Sequence, residues 1–450
     1  MTHTTKGQAA IVVGAGIAGL CAARVLADHF ERVTVLERDS LPSSASARPG
    51  VPQGRHAHAL SVGGQRALEQ LFPGFENDLV LAGAVPVRSG LDVRVERPGY
   101  DPYPRRDVGL TAMAASRALI EFLLRRRVEQ HPAVSFRTGC RVLALDASAA
   151  GDRVTGVRCD GADAADAADL VIDATGGGEL TLALLQAIGQ PPPERTTIGI
   201  DRGYASVTFE LPSYARPDWK GLITMPLVPE SSRSVLIFPT EGDRWIMSTG
   251  GRHDDQPPHS WPAIVEYLRG LRTQTAFETL RAATNVSEPA HFLFRASEWR
   301  HYERLTGFPC GLLPIGDAIC VFNPVYGQGM SVAAQEARLL QDLLARVAQS
   351  PPTMPRLALD FFAGAAALID SPWVSAAVPD FAHPQTRGDR PADLAQRLAF
   401  VSALLRLGAE DALVHRLTLE VVQLLKPRSA YQEPGLLARV RALMVPSAAG

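Results

Sequence analysis

The sequence predicts an α/β chain in three parts: a parallel-sheet lobe assembled from separate stretches, a second lobe built on a largely antiparallel sheet, and a helical C-terminal region. Three observations predict it. The chain opens with an apolar strand, a glycine turn, an apolar-periodic helix and a second strand. After Pro191-Pro192-Pro193 the texture changes to short β-branched and aromatic runs. At Gly311 to Asp317 the first pattern returns, a buried strand running into a glycine turn.

In chain order, Ala9–Val13 reads as a buried strand, Ile17–Ala27 as a helix and Val33–Leu36 as a second strand, one βαβ unit. A polar loop rich in Pro, Ser and Arg covers Arg38–Arg55. Helices follow at Val62–Leu71 and Arg117–Glu129, and strands at Val134–Arg137, Arg141–Asp146, Arg153–Arg158 and Leu170–Ala174. The Ala/Asp stretch 162–169 reads as a surface loop. Gln190 to Pro193 can continue neither a helix nor a central strand, so it marks a crossing between lobes. Beyond it lie strands at Tyr204–Leu211, Leu222–Val228, Ser234–Pro239 and Arg244–Ser248, with helices at Ile264–Leu271 and Ala276–Arg281. A long helix spans Gln328–Val347; after Pro351-Pro352 come helices at 356–371, 395–408, 411–425 and 435–444.

Composition removes several classes of function. Lys+Arg 45 against Asp+Glu 47 gives a net charge of -2, which offers no basic field for nucleic acid. The five cysteines, Cys21, Cys140, Cys159, Cys310 and Cys320, show no CxxC or metal-ligand spacing, as expected of a reducing, cytoplasmic setting. No metal site is expected, since HExxH and clustered His/Asp are absent. Gln8–Ala23 carries internal glycines unlike a signal peptide, and no run offers the ~20 apolar residues of a membrane span.

Gly14-Ala15-Gly16-Ile17-Ala18-Gly19 follows a strand and opens a helix, and Glu37 ends the next strand. This is a dinucleotide fingerprint in its required context: the glycines let the backbone approach a pyrophosphate, the helix N-terminus favours its charge, and Glu37 accepts from a ribose hydroxyl. Pro314-Ile315-Gly316-Asp317-Ala318 and Asn323-Pro324-Val325-Tyr326-Gly327-Gln328-Gly329-Met330, with Glu37-Arg38, make the chain resemble the FAD-dependent aromatic hydroxylase superfamily, the group A flavin monooxygenases.

The resemblance implies a Rossmann-like, glutathione-reductase-type FAD-binding domain over 1–75, 105–190 and 296–350. A β-sheet substrate lobe would cover 76–104 and 191–295, and a helical region 351–450. It places Asp317 on the ribitol chain and Gly327, Gly329 and Met330 against the flavin. Arg117, after Ser116, would reach the cofactor phosphates or ribose, and Val142 the adenine through its backbone. The loop Val51-Pro52-Gln53-Gly54-Arg55-His56-Ala57-His58-Ala59-Leu60 and the run Asp173-Ala174-Thr175-Gly176 are similar to a natural-product subgroup. That subgroup holds the polyether epoxidases of lasalocid and monensin biosynthesis and the decalin-forming flavoprotein cyclase of pyrroindomycin biosynthesis. Group A enzymes place an arginine near the cofactor in this loop, which implies that Arg55 touches FAD and that His56 or His58 approaches the active site, with Arg55 and His56 the catalytic candidates.

The expected reaction is monooxygenation, epoxidation or hydroxylation, through a flavin C4a-hydroperoxide, with NADPH as electron donor and O2 and an apolar small molecule as substrates. Where the subgroup has Arg-Gly-Ser after Ala-Thr-Gly, this chain has Gly177-Gly178-Glu179, which bears on reduction by NADPH. Two alternatives stay open: reducing equivalents from a separate flavin reductase, and a non-redox cyclase that keeps FAD. A Trp-x-Trp-x-Ile-Pro motif, which would indicate a flavin halogenase, and a Gly-x-Ser-x-Gly hydrolase elbow are both absent. Phe209, Leu222, Ile223, Met225, Leu227, Phe238, Phe292 and Phe294 alternate along the substrate-lobe strands; most are expected in the core and some against an apolar substrate.

Overall fold

A computed structural model describes residues 7–58, 60–161, 164–349 and 356–444. Residues 162–163 of the Ala/Asp stretch, Ala59 of the histidine loop and the Pro351-Pro352 break lie outside the described residues. Its central layer is a parallel sheet with strand order Leu312–Pro314, Leu170–Asp173, Gly7–Val13, Phe30–Glu37, Val134–Thr138. Such a sheet is covered on both faces, so its strands read as continuous apolar runs. Helices Ile17–His29, Arg117–Glu129 and Gly329–Gln349 pack together on one side, and the antiparallel strands Val142–Ala147, Val154–Cys159 and Asp166–Ala167 lie against Leu170–Asp173.

Register brings the functional loops together. Val13 pairs with both Leu36 and Asp173, and Asp173 pairs with Pro314. The next residues of all four strands, Gly14, Glu37, Ala174 and Ile315, therefore emerge side by side at the carboxyl edge, where open α/β sheets bind ligands.

The second sheet has strand order Cys320–Val321, Ala290–Arg300, Arg195–Phe209, Arg244–Arg252, Ser234–Thr240, Gly221–Thr224, Val93–Glu96. Its neighbours are antiparallel except Gly221–Thr224 beside Val93–Glu96. Strand alternation sorts its side chains: Ala205, Val207, Phe209, Leu222, Ile237 and Met247 form a buried core with helices Trp261–Leu268 and Thr275–Leu280. Tyr204, Ser206 and Ser248 fall on the opposite face.

Two helices begin and end where the sequence predicts, Val62–Leu71 and Arg117–Glu129. Each is announced by a serine N-cap: Ser61 Oγ accepts from the Gly64 amide at 3.1 Å, and Ser116 Oγ from the Leu119 amide at 3.0 Å. The helix predicted over 356–371 instead runs Leu357–Phe381, through Pro372 and Pro379. Tertiary contacts outweigh the lost backbone bonds, with Trp373 packed 5.7 Å from Trp299 and Asp380 in a buried ion pair. This helix is long and apolar enough by length and composition to cross a membrane, in contrast to the expectation of no such segment. Its Phe361, Phe362 and Ile369 belong to the main core and Asp380 is fully buried, which makes it an interior helix of this fold.

Candidate active site

The three glycines of the opening turn do different work. Gly14 has φ +106° and a β-carbon there would stand 2.5 Å from the Ala174 carbonyl oxygen; one on Gly19 would stand 1.9 Å from the Gly14 oxygen. Both are required by backbone packing. A β-carbon on Gly16 would meet nothing within 4 Å, and Gly16 caps helix Ile17–His29 with no side-chain bond, so the first amides of that helix face open space.

Glu37 is buried and accepts from the Ala15 amide at 2.8 Å and the Asp39 amide at 3.0 Å. Arg48 stands 3.1 Å from Glu37, 2.9 Å from Asp39 and 2.6 Å from Glu121. Arg48 was not singled out by sequence, where it is one arginine in a polar loop; its partners are the nearby Glu37 and Asp39 at the end of the second strand and the distant Glu121. Arg38 is exposed, and Val142 is half-buried on the outer antiparallel strand.

The Gly-Asp turn is anchored from below. The Gly316 amide donates to Glu336 Oε2 at 2.7 Å, and burial pushes the Glu336 carboxyl up to about 8. Beside it, burial raises Asp317, with Arg117 and Arg300 opposing that shift. The Asp317 carboxylate accepts no hydrogen bond among the described residues, and Arg117 keeps a buried, unpartnered Nε while its Nη2 stands 3.4 Å from Glu121. A β-carbon on Gly329 would lie 3.8 Å from Asp317 Oδ1. Gly327 takes φ +64°, and helix Gly329–Gln349 starts two residues later with Met330 buried. The structure thus gathers an open glycine cradle, an acid at the second strand's end, a buried arginine with spare donors, and an unspent carboxylate. That donor set fits FAD: amides and Arg117 for anionic phosphates, Glu37 and Asp317 for hydroxyls. Asp317→Ala is expected to fold normally and to weaken FAD retention about tenfold or more, roughly 1.4 kcal/mol. Unchanged affinity in a fluorescence titration would sink the assignment.

Next to the Asn323–Gly327 loop lies a cavity of about 30 Å³ lined by Gln53, His56, Ala57, His58, Tyr204, Leu236, Ser248, Phe292, Pro324 and Val325. His56 Nδ1 is 2.7 Å from Ser206 Oγ, which is 2.5 Å from Ser248 Oγ, which accepts from the Ala57 amide at 2.8 Å. Every hydrogen in this chain is used if Ser248 donates to Ser206 and Ser206 to His56 Nδ1, which leaves the proton on His56 Nε2. That nitrogen is buried and unpartnered, and burial, then His291, pushes His56 down to about 4. His58 donates from Nδ1 to the His56 carbonyl at 2.8 Å and is pushed down to about 3, mainly by burial and then by Arg117. Arg55 is exposed and lies outside this lining. Of the apolar series, Phe292 lines the cavity, whereas Phe209, Leu222 and Phe294 are core.

Behind the cavity, Tyr204 Oη donates to Asn323 Oδ1 at 2.8 Å, and Asn323 Nδ2 donates to Asp380 at 3.0 and 3.2 Å. Tyr326 Oη donates to Asp380 at 3.1 Å, Arg252 pairs with Asp380, and Arg252 Nη1 reaches Thr386 Oγ1 at 3.1 Å. Asp380 is 0% and Arg252 4% exposed. Sequence reasoning missed this tie between helix Leu357–Phe381 and the Asn323–Gly327 loop, because nothing local in either segment marks the other.

Buried histidines set an acid limit. Burial pushes His56 and His415 to about 4 and His58 and His383 to about 3, all below an unfolded value near 6.5. Between those values the unfolded chain binds protons on four histidines that the native chain does not, so their contribution is full above about pH 6.5 and is lost as pH drops toward 4, opposed by the single proton that Glu336, raised to about 8, holds in the native chain. Melting temperature is expected to decline across that window; a flat profile from pH 7 to 4.5 would contradict it.

Residues 8–352 match the family described as FAD binding domain. The chain is 34% identical over 355 residues to the Mycobacterium tuberculosis protein Rv3254, covering 74% of this chain and 72% of that one. It is 27% identical over 358 residues to kynurenine 3-monooxygenase of Salinispora arenicola, covering 75% and 73%. Pseudomonas aeruginosa PqsL in complex with 2-aminobenzoylacetate superposes with a TM-score of 0.65 at 14% identity, covering 85% of this chain and 97% of PqsL. The chain is an FAD-dependent oxidoreductase and belongs to the FAD binding domain family of group A flavin monooxygenases.

Proposed function

We propose that the protein is an NADPH-reduced monooxygenase, epoxidising or hydroxylating a sizeable apolar natural-product intermediate such as a polyketide or terpenoid, inside the reducing cytoplasm. The observation that carries this reading is the cavity: aromatic and aliphatic walls, one unpaired imidazole nitrogen, and no carboxylate, set against Pro324 and Val325. An alkene needs no base for oxygenation, whereas a phenol is helped by one.

Bound FAD would supply two-electron redox chemistry and the activation of O2. Gly14, Gly16 and Gly19 would form the pyrophosphate turn, Glu37, Arg38 and Val142 would face the adenosine end, and Arg117 and Asp317 the phosphate and ribitol. Gly327, Gly329 and Met330 would back the ring system. Tyr204, Leu236 and Phe292 exclude water from the reacting region, and His56 Nε2 donates one hydrogen bond that orients a substrate oxygen. Neutral at working pH, His56 positions rather than protonates. Arg55, exposed, stands outside the cavity, and the present volume holds about one water, so its walls must part to admit the substrate.

The test is turnover under 18O2 with NADPH and an apolar polyene. Label is expected in the product; product formed without O2 uptake would instead assign the non-redox cyclase, and a need for added reductase a partnered enzyme. His56→Ala is expected to lower product per NADPH about tenfold through loss of one hydrogen bond, roughly 1.5 kcal/mol. Its NADPH oxidation without substrate should stay unchanged, and an equal loss in both rates would remove His56 from the substrate site.

A further inference from the structure

Two of the five cysteines meet. Cys140, half-buried, lies in the turn after strand Val134–Thr138, and Cys159, buried, closes strand Val154–Cys159. One guanidinium nitrogen bridges their thiols: Arg137 Nη2 stands 3.5 Å from Cys140 Sγ and 3.4 Å from Cys159 Sγ, which makes the two sulfurs neighbours. Val142 is the cross-strand partner of Cys159, and Cys140 precedes Val142 by two residues, so both thiols project from one sheet face.

Diagonal cross-strand neighbours stand about 7–8 Å apart at Cα, and a disulfide requires less than about 7 Å. The slack for that adjustment is present. The ladder is irregular between Val142 and Ala144, and Gly139, just before Cys140, takes φ +65° with nothing within 4 Å of its β-carbon position.

We propose that Cys140 and Cys159 are a peroxide-oxidised dithiol, a covalent modification site that closes to a disulfide beside the Glu37 turn. The half-exposed Cys140 sulfur attacks hydrogen peroxide: an S–O bond forms, the O–O bond breaks, and one water leaves, giving a sulfenic acid. The Cys159 thiol then attacks that sulfur: the S–S bond forms, the S–O bond breaks, and a second water leaves. Two thiols are oxidised by two electrons and one peroxide is reduced to two waters. Burial, with Cys140 alongside, pushes Cys159 up to about 12, so Cys159 stays a thiol at neutral pH and the less buried Cys140 is the sulfur that meets peroxide first. The site backs the acid that faces the ribose: the Cys140 amide donates to the Glu37 carbonyl at 2.9 Å and the Gly139 amide to the Asp39 carbonyl at 3.3 Å.

The test uses the reduced, full-length protein and hydrogen peroxide. Thiol titration after unfolding is expected to fall from five to three and to return to five with dithiothreitol. Peptide mapping without reduction should show Cys140 joined to Cys159 with the loss of two hydrogens. Cys140→Ser should abolish that peptide and keep four titratable thiols. Five thiols surviving peroxide, oxidation of Cys310 ahead of the pair, or sulfinic acid at Cys140 without a cross-link would each overturn the proposal. The wild-type map decides the matter if the variant misfolds.

Discussion

Gly16→Val is expected to fold with an unchanged melting temperature and to lose FAD. Gly16 has φ -75° and ψ 179°, which a β-branched residue adopts readily, and a β-carbon there would meet no protein atom within 4 Å. The added methyls would enter the space faced by the first amides of helix Ile17–His29, where a pyrophosphate must approach backbone directly. A retention loss of about a hundredfold, roughly 2.8 kcal/mol, is the expected magnitude. Gly14→Val is a poorer test, because φ +106° and the Ala174 oxygen at 2.5 Å would strain the fold itself and confound cofactor loss with misfolding. A yellow, fully loaded Gly16→Val protein would refute the fingerprint reading, whereas a colourless, well-folded one supports it.

Asp380→Ala carries the largest expected cost in stability. It leaves the Arg252 guanidinium at 4% exposure without its carboxylate, and strips Asn323 Nδ2 and Tyr326 Oη of their acceptor. Removing one partner of a buried pair costs about 3–5 kcal/mol, because the other charge remains buried and uncompensated. Arg252→Met combined with Asp380→Leu is expected to recover much of that loss, since both charges leave together. Denaturant unfolding of the single and double variants measures the difference, and a single variant within about 1 kcal/mol of the parent would show that water or another group satisfies Arg252. Because Asn323 begins the loop ending at Gly327, the recovered double variant should still bind FAD more weakly than the parent.

Much of the cofactor lobe was legible because its signals are local. The helices Val62–Leu71 and Arg117–Glu129 start where they were expected, each at a serine that the structure shows as its cap, and the glycine fingerprint sits on the predicted strand and helix. The motif treats Gly14, Gly16 and Gly19 alike, and only the three-dimensional neighbours separate the two packing glycines from the open one. Strand alternation placed Phe209 and Leu222 in a core, but it could not show that Ser206 and Ser248 meet beneath His56, because that contact joins separate strands. Arg48 and Asp380 were invisible for a related reason: Arg48 joins the second strand's end to Glu121, 73 residues beyond Arg48, and Asp380 takes Arg252, Asn323 and Tyr326 from far away in the chain. Proline punctuation failed at Pro372, where packing of Trp373 and the Asp380 pair carries the helix onward.

The most direct test of the account is an anaerobic titration of the FAD-loaded protein with NADPH, followed through the visible flavin band. One NADPH per flavin is expected to bleach the band, and the band is expected to return when O2 is readmitted. A band that stays yellow under excess NADPH would contradict a self-contained NADPH-using monooxygenase.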